Sequence, residues 1–231
     1  MLLAAGRGER MRPLTDRTPK PLLPVGGTPL ILWHIERLAR AGMRDIVINH
    51  AHLGDQIEAL LGSGEAWGVR ITYSEEPTGA LETAGGIANA LPLLGDTPFL
   101  VINGDIFCDW DVVRASTVLA TTDLAHLVLA PNPSHHAAGD FTLADGKVGA
   151  AEARPSETGD TAKLTFTGIG IYRPELFAGI TRGSVAKLAP LLREAMDAGR
   201  VTGELHKGRW VDVGTPERLR ALDDLVSRQS C

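Results

Sequence analysis

Short apolar runs alternate with longer amphipathic stretches along the first 130 residues of the chain. Apolar residues at helical spacing predict three helices, over 28–41, 55–61 and 84–91, the last of them ended by Pro92. Continuous apolar runs predict buried strands over 45–49, 69–73, 98–102 and 123–130. Strands that alternate with helices are typical of βαβ units, so this part is predicted to be a doubly wound α/β core with a mostly parallel sheet.

The pattern changes after residue 130, where glycine, aspartate, proline and threonine become frequent. Hairpin-like runs over 140–143, 147–151 and 163–171 predict a small β-rich insertion. Beyond it, the pattern predicts a helix over 185–198, a strand over 208–213 and a C-terminal helix over 216–227. We expect one domain over 1–231, with a core over 1–130, the insertion over about 131–172 and completion of the core over 173–231.

Composition narrows the class of protein. The 231 residues include 44% hydrophobic and 22% charged residues and carry a net charge of −5, which predicts a stable core and no general attraction for nucleic acid or an anionic membrane. Cys108 and Cys231 are the only cysteines, and no Cys/His spacing typical of a zinc site occurs. Without a membrane-length apolar run or a signal-peptide pattern, we expect a cytoplasmic protein, either a monomer or a small homo-oligomer.

Positive charge is concentrated in one glycine-containing loop near the start of the chain. Gly6 and Gly8 follow a short apolar run, and the first twenty residues contain the cations Arg7, Arg10, Arg12, Arg17 and Lys20. Glycines let backbone N–H groups approach an anion that the cations neutralise, so this loop is predicted to bind a polyphosphate. The G-x-x-x-x-G-K-[ST] motif is absent, and Met11 stands where the dinucleotide-binding G-x-G-x-x-G motif requires its third glycine.

The run L-x-A-G-x-G-x-R-M-x-P-L-T, followed by P-K-P, resembles the signature of the sugar-1-phosphate nucleotidylyltransferases. The resemblance implies a Rossmann-like nucleotidyltransferase core that joins a nucleoside triphosphate to a sugar 1-phosphate and releases pyrophosphate. It implies a nucleotide cradle formed by Ala4, Ala5, Gly6, Arg7 and Gly8. It also implies two catalytic cations, Arg10 on the leaving pyrophosphate and Lys20 at the α-phosphate.

Two aspartates match the family residues that share a catalytic Mg²⁺ ion. Asp105 comes shortly after the predicted strand 98–102, at the carboxyl edge of the sheet. Asp212 interrupts the apolar strand 208–213, where a buried carboxylate needs a partner. We therefore expect Mg²⁺ between Asp105 and Asp212.

The resemblance also assigns the remaining substrate contacts. The run Leu81-Glu82-Thr83-Ala84-Gly85-Gly86 is similar to the family's base-binding L-G-T-A-G-A, although Glu82 replaces a glycine. Nucleotide contacts are expected at Glu82, Thr83, Gly85 and Gly86, with Thr83 also capping a helix. Contacts to the sugar and its phosphate are expected at Asn103, Gly139, Asp140, Glu152, Thr167, Gly168 and Lys187. The family's E-K-P reads Ala153-Arg154-Pro155 here, so either Arg154 replaces the lysine or that contact is missing.

Segments such as VINGDI, LAPNPSHHAAGDF and LTFTGIGIY look most similar to the family branch that uses UTP and N-acetylmuramic acid α-1-phosphate in bacterial peptidoglycan recycling. A mannose- or glucose-1-phosphate nucleotidylyltransferase is the alternative within the family. A non-catalytic regulatory subunit that binds a nucleotide sugar is the alternative from another class, but it predicts loss of Arg10, Lys20, Asp105 or Asp212, which are all present. Since the lactyl group adds a carboxylate, the insertion is expected to offer a cation or N–H donor near the sugar 3-position.

Overall fold

The computed structural model describes residues 1–77, 80–150 and 163–228. Helices and strands alternate along the first half in the order β1 (Leu2–Leu3), β2 (Pro24–Val25), β3 (Thr28–Pro29), α1 (Leu30–Arg40), β4 (Asp45–His50), α2 (Gly54–Leu61), β5 (Arg70–Glu75), α3 (Glu82–Leu94) and β6 (Phe99–Asn103). The second half contains β7 (Ile106–Cys108), β8 (Ala125–Ala130), β9 (Phe141–Ala144), β10 (Lys147–Ala150), β11 (Thr165–Tyr172), α4 (Leu188–Asp197), β12 (Val201–Leu205), β13 (Trp210–Asp212) and α5 (Pro216–Ser227).

Nine of the described strands form one sheet in the order β5-β4-β1-β6-β11-β8-β12-β10-β9. β1 pairs in parallel with β4 and β6, β4 pairs in parallel with β5, and β8 pairs in parallel with β12. β11 runs antiparallel to both β6 and β8, and β10 runs antiparallel to β12 and β9. Seven of the nine strands therefore point the same way, which confirms the predicted α/β fold with a mostly parallel sheet.

The strands expected in the β-rich insertion occupy two different places in this sheet. β9 and β10 form a hairpin at its edge, whereas β11 lies near its centre between β6 and β8. The pairing of β11 with β8 is shifted by a bulge between Phe166 and Ile169. The predicted sugar-binding segment is thus continuous with the core sheet.

The sequence pattern missed four strands, β2, β3, β7 and β12, and β3 takes up the first two residues of the predicted helix 28–41. β12 has the sequence VTGEL, and its glycine weakens the strand signal. A Cβ on Gly203 would lie 2.7 Å from the carbonyl oxygen of Leu127 and 2.5 Å from Val148 Cγ2, so close packing requires glycine there. β7 has only three residues and pairs with β13 in a separate two-stranded ladder.

The predicted end of α3 at Pro92 is wrong. The helix continues to Leu94 and is followed by Gly95, which has a φ of 78°. Proline lacks the N–H that would bond to the previous turn, so one hydrogen bond is lost. Leu91 and Leu94 nevertheless pack against the core, and this burial carries the helix through its last turn.

Alternate residues of the central strands pack into two hydrophobic clusters on opposite faces of the sheet. Along β4, Val47 belongs to the cluster under α3 and α4, while Ile46 and Ile48 belong to the cluster under α1 and α2. Helices on both faces leave the carboxyl ends of the strands to be covered by loops, which is where α/β proteins bind ligands. Within the described residues, no helix is both long enough and apolar enough to cross a membrane.

We predict that Phe177→Ala lowers the free energy of unfolding by about 3–5 kcal/mol, because it opens a cavity in the core. Phe177 is fully buried, and its ring centroid lies 6.1 Å from that of Phe99 and 5.8 Å from that of Tyr172. Denaturant unfolding measures the change. Val185→Ala, at a side chain that is 68% exposed, is the control and should cost less than about 0.5 kcal/mol. Equal stability of the two variants would contradict this packing.

Candidate active site

A cleft of about 430 Å³ opens beyond the carboxyl ends of β1, β4 and β6. Its walls are the loop after β1, Asn49 from β4, Asn103 from β6 and the first turn of α3. Lys20 and Asp105 also line it. The cleft therefore occupies the sheet edge at which the sequence predicted the phosphate loop and the first metal-binding aspartate.

The predicted phosphate loop is held in place by its neighbours. The N–H of Ala4 donates to Asn49 Oδ1 at 2.9 Å, and the Thr15 hydroxyl donates to the carbonyl oxygen of Gly8 at 2.9 Å. Gly8 has a φ of 68°, and a Cβ there would lie 3.0 Å from Thr15 Cγ2, so this turn requires glycine. The cleft-lining residues of the predicted cradle are Ala4, Ala5, Gly6 and Gly8.

Arg7, the remaining residue of the predicted cradle, does not line the cleft. Its guanidinium donates to the carbonyl oxygen of Thr15 at 2.7 Å and to Asp16 Oδ1 at 3.0 Å, and it contacts His52 Nε2 at 2.7 Å. The hydrogen bond from Arg7 is the main cause that holds the pKa of Asp16 below its usual value. Arg7 thus fastens the loop to the segments around it.

The two predicted catalytic cations lie in different environments. Lys20 is only 7% exposed, and its Nζ donates to Asp105 Oδ2 at 2.5 Å. Arg10 lines the same cleft but is exposed, and its guanidinium makes no hydrogen bond or ion pair with any described residue. The cleft therefore combines a buried, paired ammonium with an exposed guanidinium that can meet an incoming anion.

Asp105 and Asp212 are brought together by the ladder of β7 and β13. Asp212 lies opposite Ile106, and the N–H of Val213 donates to the carbonyl oxygen of Asp105 at 3.0 Å. His34 supports the ladder from α1, where its Nε2–H donates to the carbonyl oxygen of Ile106 at 2.8 Å. Burial lowers the pKa of His34 to about 4, so this side chain is neutral at physiological pH.

Each of these carboxylates has a cationic partner on one oxygen. Arg218 Nη1 donates to Asp212 Oδ2 at 2.7 Å and contacts His135 Nε2 at 2.5 Å, while Lys20 pairs with Asp105. The Oδ1 atoms of both aspartates bond to no donor in the described part of the chain. Hard carboxylate oxygens, joined by substrate phosphates, are the ligands that Mg²⁺ prefers, so this donor set fits a divalent cation.

Sequence reasoning missed two buried polar residues in the cleft wall, Asn49 and Glu76. Glu76, 4% exposed, accepts from Asn49 Nδ2 at 2.5 Å and from the N–H of Leu81 at 2.8 Å. Because Asn49 also accepts from Ala4, the three bonds connect the phosphate loop with the start of α3. The available signal was their position, since Asn49 ends the predicted strand 45–49 and Glu76 follows the predicted strand 69–73 by three residues.

The first residue of α3 has an unusual backbone conformation. Glu82 has a φ of 60°, in the left-handed region that glycine tolerates best, which gives a physical reason for the glycine in the family pattern. Glu82 and Thr83 both line the cleft. The expectation that Thr83 caps the helix is wrong, because Leu81 occupies the N-cap position and no side chain bonds there.

Gly85 and Gly86 permit close packing behind this turn. A Cβ on Gly85 would lie 2.4 Å from the carbonyl oxygen of Ser184, and one on Gly86 would lie 2.4 Å from Glu76 Oε1. Neither glycine lines the cleft. Their small size lets α3 approach the segment before α4 and lets Glu76 reach its partners.

The residues predicted to bind the sugar and its phosphate begin beside the cleft. Asn103 lines the cleft, and a Cβ on Gly168 would lie 2.5 Å from Asn103 Nδ2, so these two residues touch. Thr167 is 1% exposed, and its hydroxyl donates to the carbonyl oxygen of Val128 at 2.7 Å. The hydroxyl of Thr167 therefore supports the sheet at the bulge.

The other predicted sugar-binding residues are spread over neighbouring segments. Asp140 accepts from the N–H of Phe166 at 2.8 Å and pairs with His136 at 3.0 Å. Gly139, with a φ of 61°, allows this loop to turn, and Lys187 is exposed just before α4. Glu152 and Arg154 lie outside the described residues.

Comparison with known proteins agrees with this geometry. The nucleotidyl transferase family model matches residues 1–228. An N-acetylmuramate α-1-phosphate uridylyltransferase of Neisseria meningitidis is 58% identical over 229 residues, which cover 98% of this chain and 97% of that protein. A protein of the same name from Caulobacter vibrioides is 38% identical, with 96% of this chain and 94% of that protein covered.

A solved structure from Bacillus anthracis, described as a glucose-1-phosphate thymidylyltransferase, has the same fold. It superposes with a TM-score of 0.83 and covers 98% of this chain and 94% of its own, at 24% identity. Nucleotidyltransferases of this family generally use a divalent metal ion. The family match over nearly the full chain and the similarity to the two uridylyltransferases show that this enzyme belongs to the sugar-1-phosphate nucleotidyltransferases of the nucleotidyl transferase family.

Proposed function

We propose that the protein transfers the uridylyl group of UTP to N-acetylmuramic acid α-1-phosphate, giving UDP-N-acetylmuramic acid and pyrophosphate. The observation that carries the proposal is the 58% identity to the Neisseria meningitidis uridylyltransferase over nearly the whole of both chains. Relatives named for glucose 1-phosphate or mannose 1-phosphate are more distant at comparable coverage of this chain, at 28% and 31% identity.

The reaction needs no enzyme nucleophile, because an oxygen of the sugar phosphate attacks the α-phosphorus while pyrophosphate leaves. The protein must hold two anions together and stabilise the charge that develops. In our proposal, the N–H groups around Gly6 and Gly8 hold the triphosphate, and Glu82 and Thr83 border the base. Asn103 and the bulge at Gly168 border the sugar phosphate.

Lys20 and Arg10 neutralise different phosphates in this proposal. Lys20 is buried and fixed by Asp105, so its ammonium can stabilise the α-phosphate without reorganisation. Arg10 is exposed, which suits a contact with the departing pyrophosphate. The retention of both cations, together with Asp105 and Asp212, opposes the alternative of a non-catalytic regulatory subunit.

We assign Mg²⁺ to the free oxygens of Asp105 and Asp212. When bound there, the ion would neutralise negative charge on the phosphate oxygens. We place the reaction in bacterial peptidoglycan recycling, in the cytoplasm where UTP is available, with no nucleic-acid or membrane partner.

We predict that Asp105→Asn and Asp212→Asn each reduce kcat by about 100-fold or more, because each removes a charged ligand at the point where phosphate charge is neutralised. Steady-state release of pyrophosphate at several Mg²⁺ concentrations measures the effect. Asp96→Asn, at an exposed carboxylate outside the cleft, is the matched control. Near-normal Mg²⁺-dependent turnover in a folded Asp105 or Asp212 variant would overturn the metal assignment.

Lys20→Ala and Arg10→Ala should each lower kcat by about 10- to 100-fold, since a charge-assisted phosphate contact contributes about 1.5–3 kcal/mol. Arg40→Ala is the control, because the Arg40 side chain is exposed, pairs with Glu36 at 2.8 Å and does not line the cleft. An increase in KM with unchanged kcat would show that these cations bind substrate and transition state equally, contrary to the proposed roles.

The substrate itself is tested by assaying UTP, GTP, CTP and dTTP against the 1-phosphates of N-acetylmuramic acid, N-acetylglucosamine, glucose and mannose. With UTP, N-acetylmuramic acid α-1-phosphate should exceed N-acetylglucosamine 1-phosphate by at least about 100-fold in kcat/KM. The reason is that a donor placed for the lactyl carboxylate is left unpaired by the smaller sugar. Rates within about threefold, or a preference for glucose or mannose 1-phosphate, would reject the muramate assignment but retain the family activity.

A further inference from the structure

A second group of metal-ligating side chains lies at the opposite end of the β7–β13 ladder from Asp105. Cys108 ends β7, Asp109 follows it, and His206 follows β12. The cysteine Sγ, a carboxylate oxygen of Asp109 and a ring nitrogen of His206 all lie within 4.8 Å of one another. Among the residues that the structure describes, no other set of three such side chains comes this close.

The backbone holds this group together from two sides. The N–H of Asp109 donates to the carbonyl oxygen of Arg209 at 3.0 Å, and the N–H of His206 donates to that of Leu129 at 2.7 Å. A Cβ on Gly208 would lie 2.4 Å from Asp109 Oδ1 and 2.6 Å from His206 Cε1. Glycine therefore lets the turn between His206 and β13 close directly against both side chains.

We propose that Cys108, Asp109 and His206 bind a divalent transition metal of the zinc class, with water completing the coordination. A thiolate and an imidazole are the ligands that select Zn²⁺ or Co²⁺, whereas Mg²⁺ prefers an all-oxygen set such as Asp105 and Asp212. Three protein ligands with one open position is a common four-coordinate arrangement for zinc. This site is independent of the catalytic metal and of the sugar that the enzyme uses.

Exposure and outer hydrogen bonds fit this role. Cys108 is 3% exposed while the Asp109 side chain is 55% exposed, so the sulfur is shielded and the metal enters from the carboxylate side. The N–H of Trp110 donates to Cys108 Sγ at 3.5 Å, a bond of the kind by which outer partners orient metal ligands. Binding releases the thiol proton of Cys108 to solvent.

The metal would join β7 to the segment that leads into β13. His206 Nε2 and Asp109 Oδ1 lie 2.9 Å apart and face each other, with Cys108 Sγ within 4.8 Å of a ligand atom of each residue. Tetrahedral ligands at about 2.0–2.3 Å from zinc are roughly 3.3–3.8 Å from each other, so on binding His206 and Asp109 would move apart from 2.9 Å, and all three ligand atoms, now within 4.8 Å of one another, would adjust to this range. Because Cys108 and Asp109 are far from His206 in the chain, no Cys/His spacing in the sequence indicates the site.

Cobalt titration of the metal-depleted full-length chain tests the proposal, since Co²⁺ bound to a thiolate absorbs in the near ultraviolet. We expect about one equivalent of Co²⁺ to give this charge-transfer band together with the visible bands of a four-coordinate ion. Zn²⁺ should displace it and millimolar Mg²⁺ should not. The band should persist in the Asp105→Asn, Asp212→Asn double variant, which separates this site from the proposed catalytic one.

Single substitutions then identify the ligands. Cys108→Ala should abolish the charge-transfer band, and the Cys231→Ser control should retain it. His206→Ala should weaken Co²⁺ affinity by at least about 100-fold, because loss of even an outer partner costs 10- to 100-fold. Asp109→Asn, at an exposed side chain, should weaken Co²⁺ affinity by at least about 10-fold. This variant tests the site if the buried Cys108 variant does not fold. No charge-transfer band at saturating Co²⁺, or a band unaffected by these changes, would overturn the proposal.

Discussion

The antiparallel pairing of β7 with β13 is the contact on which the candidate active site depends. It places Asp105 and Asp212 side by side although they lie far apart in the chain. β7 is outside the main sheet, so its other edge needs partners, and α1 supplies them through side chains. His34 bonds the carbonyl of Ile106, and Arg37 bonds those of Cys108 and Trp110. Through these bonds, α1, the β7–β13 ladder and the residues that carry the two carboxylates form one hydrogen-bonded unit.

Charge pairing explains how carboxylates and a buried lysine can share this cleft. A buried ammonium is costly unless it is paired, and Lys20 is paired with Asp105. Arg218, which lies on α5, forms the corresponding ion pair with Asp212. Both pairs orient the carboxylates in advance, so residues that we propose for the chemistry also stabilise the fold. Removing one member leaves its partner uncompensated, which couples activity to stability at this site.

The sequence predicted the elements whose signal is local. The glycine loop, the apolar strands and the C-terminal helix follow from residues adjacent in the chain, and the helix indeed begins after Thr215 with Pro216 at its first turn. Features that depend on contacts between distant parts of the chain were not predicted. Asn49 and Glu76 carry no local signal for their mutual hydrogen bond, and β12 is hidden by Gly203. The roles of these residues depend on neighbours that come together only in the folded sheet.

Glu82 shows how the surrounding structure can hold a residue in an unfavourable conformation. A non-glycine residue in the left-handed region costs of order 1–3 kcal/mol and persists only where its neighbours fix the backbone. Here the N–H of Leu81 is bonded to Glu76, and the N–H groups of Ala84 and Gly85 are bonded to the carbonyl of Ala186. These bonds on both sides determine the turn. The chain therefore holds Glu82 in a conformation that suits glycine, at a position that adds a carboxylate to the lining of the cleft.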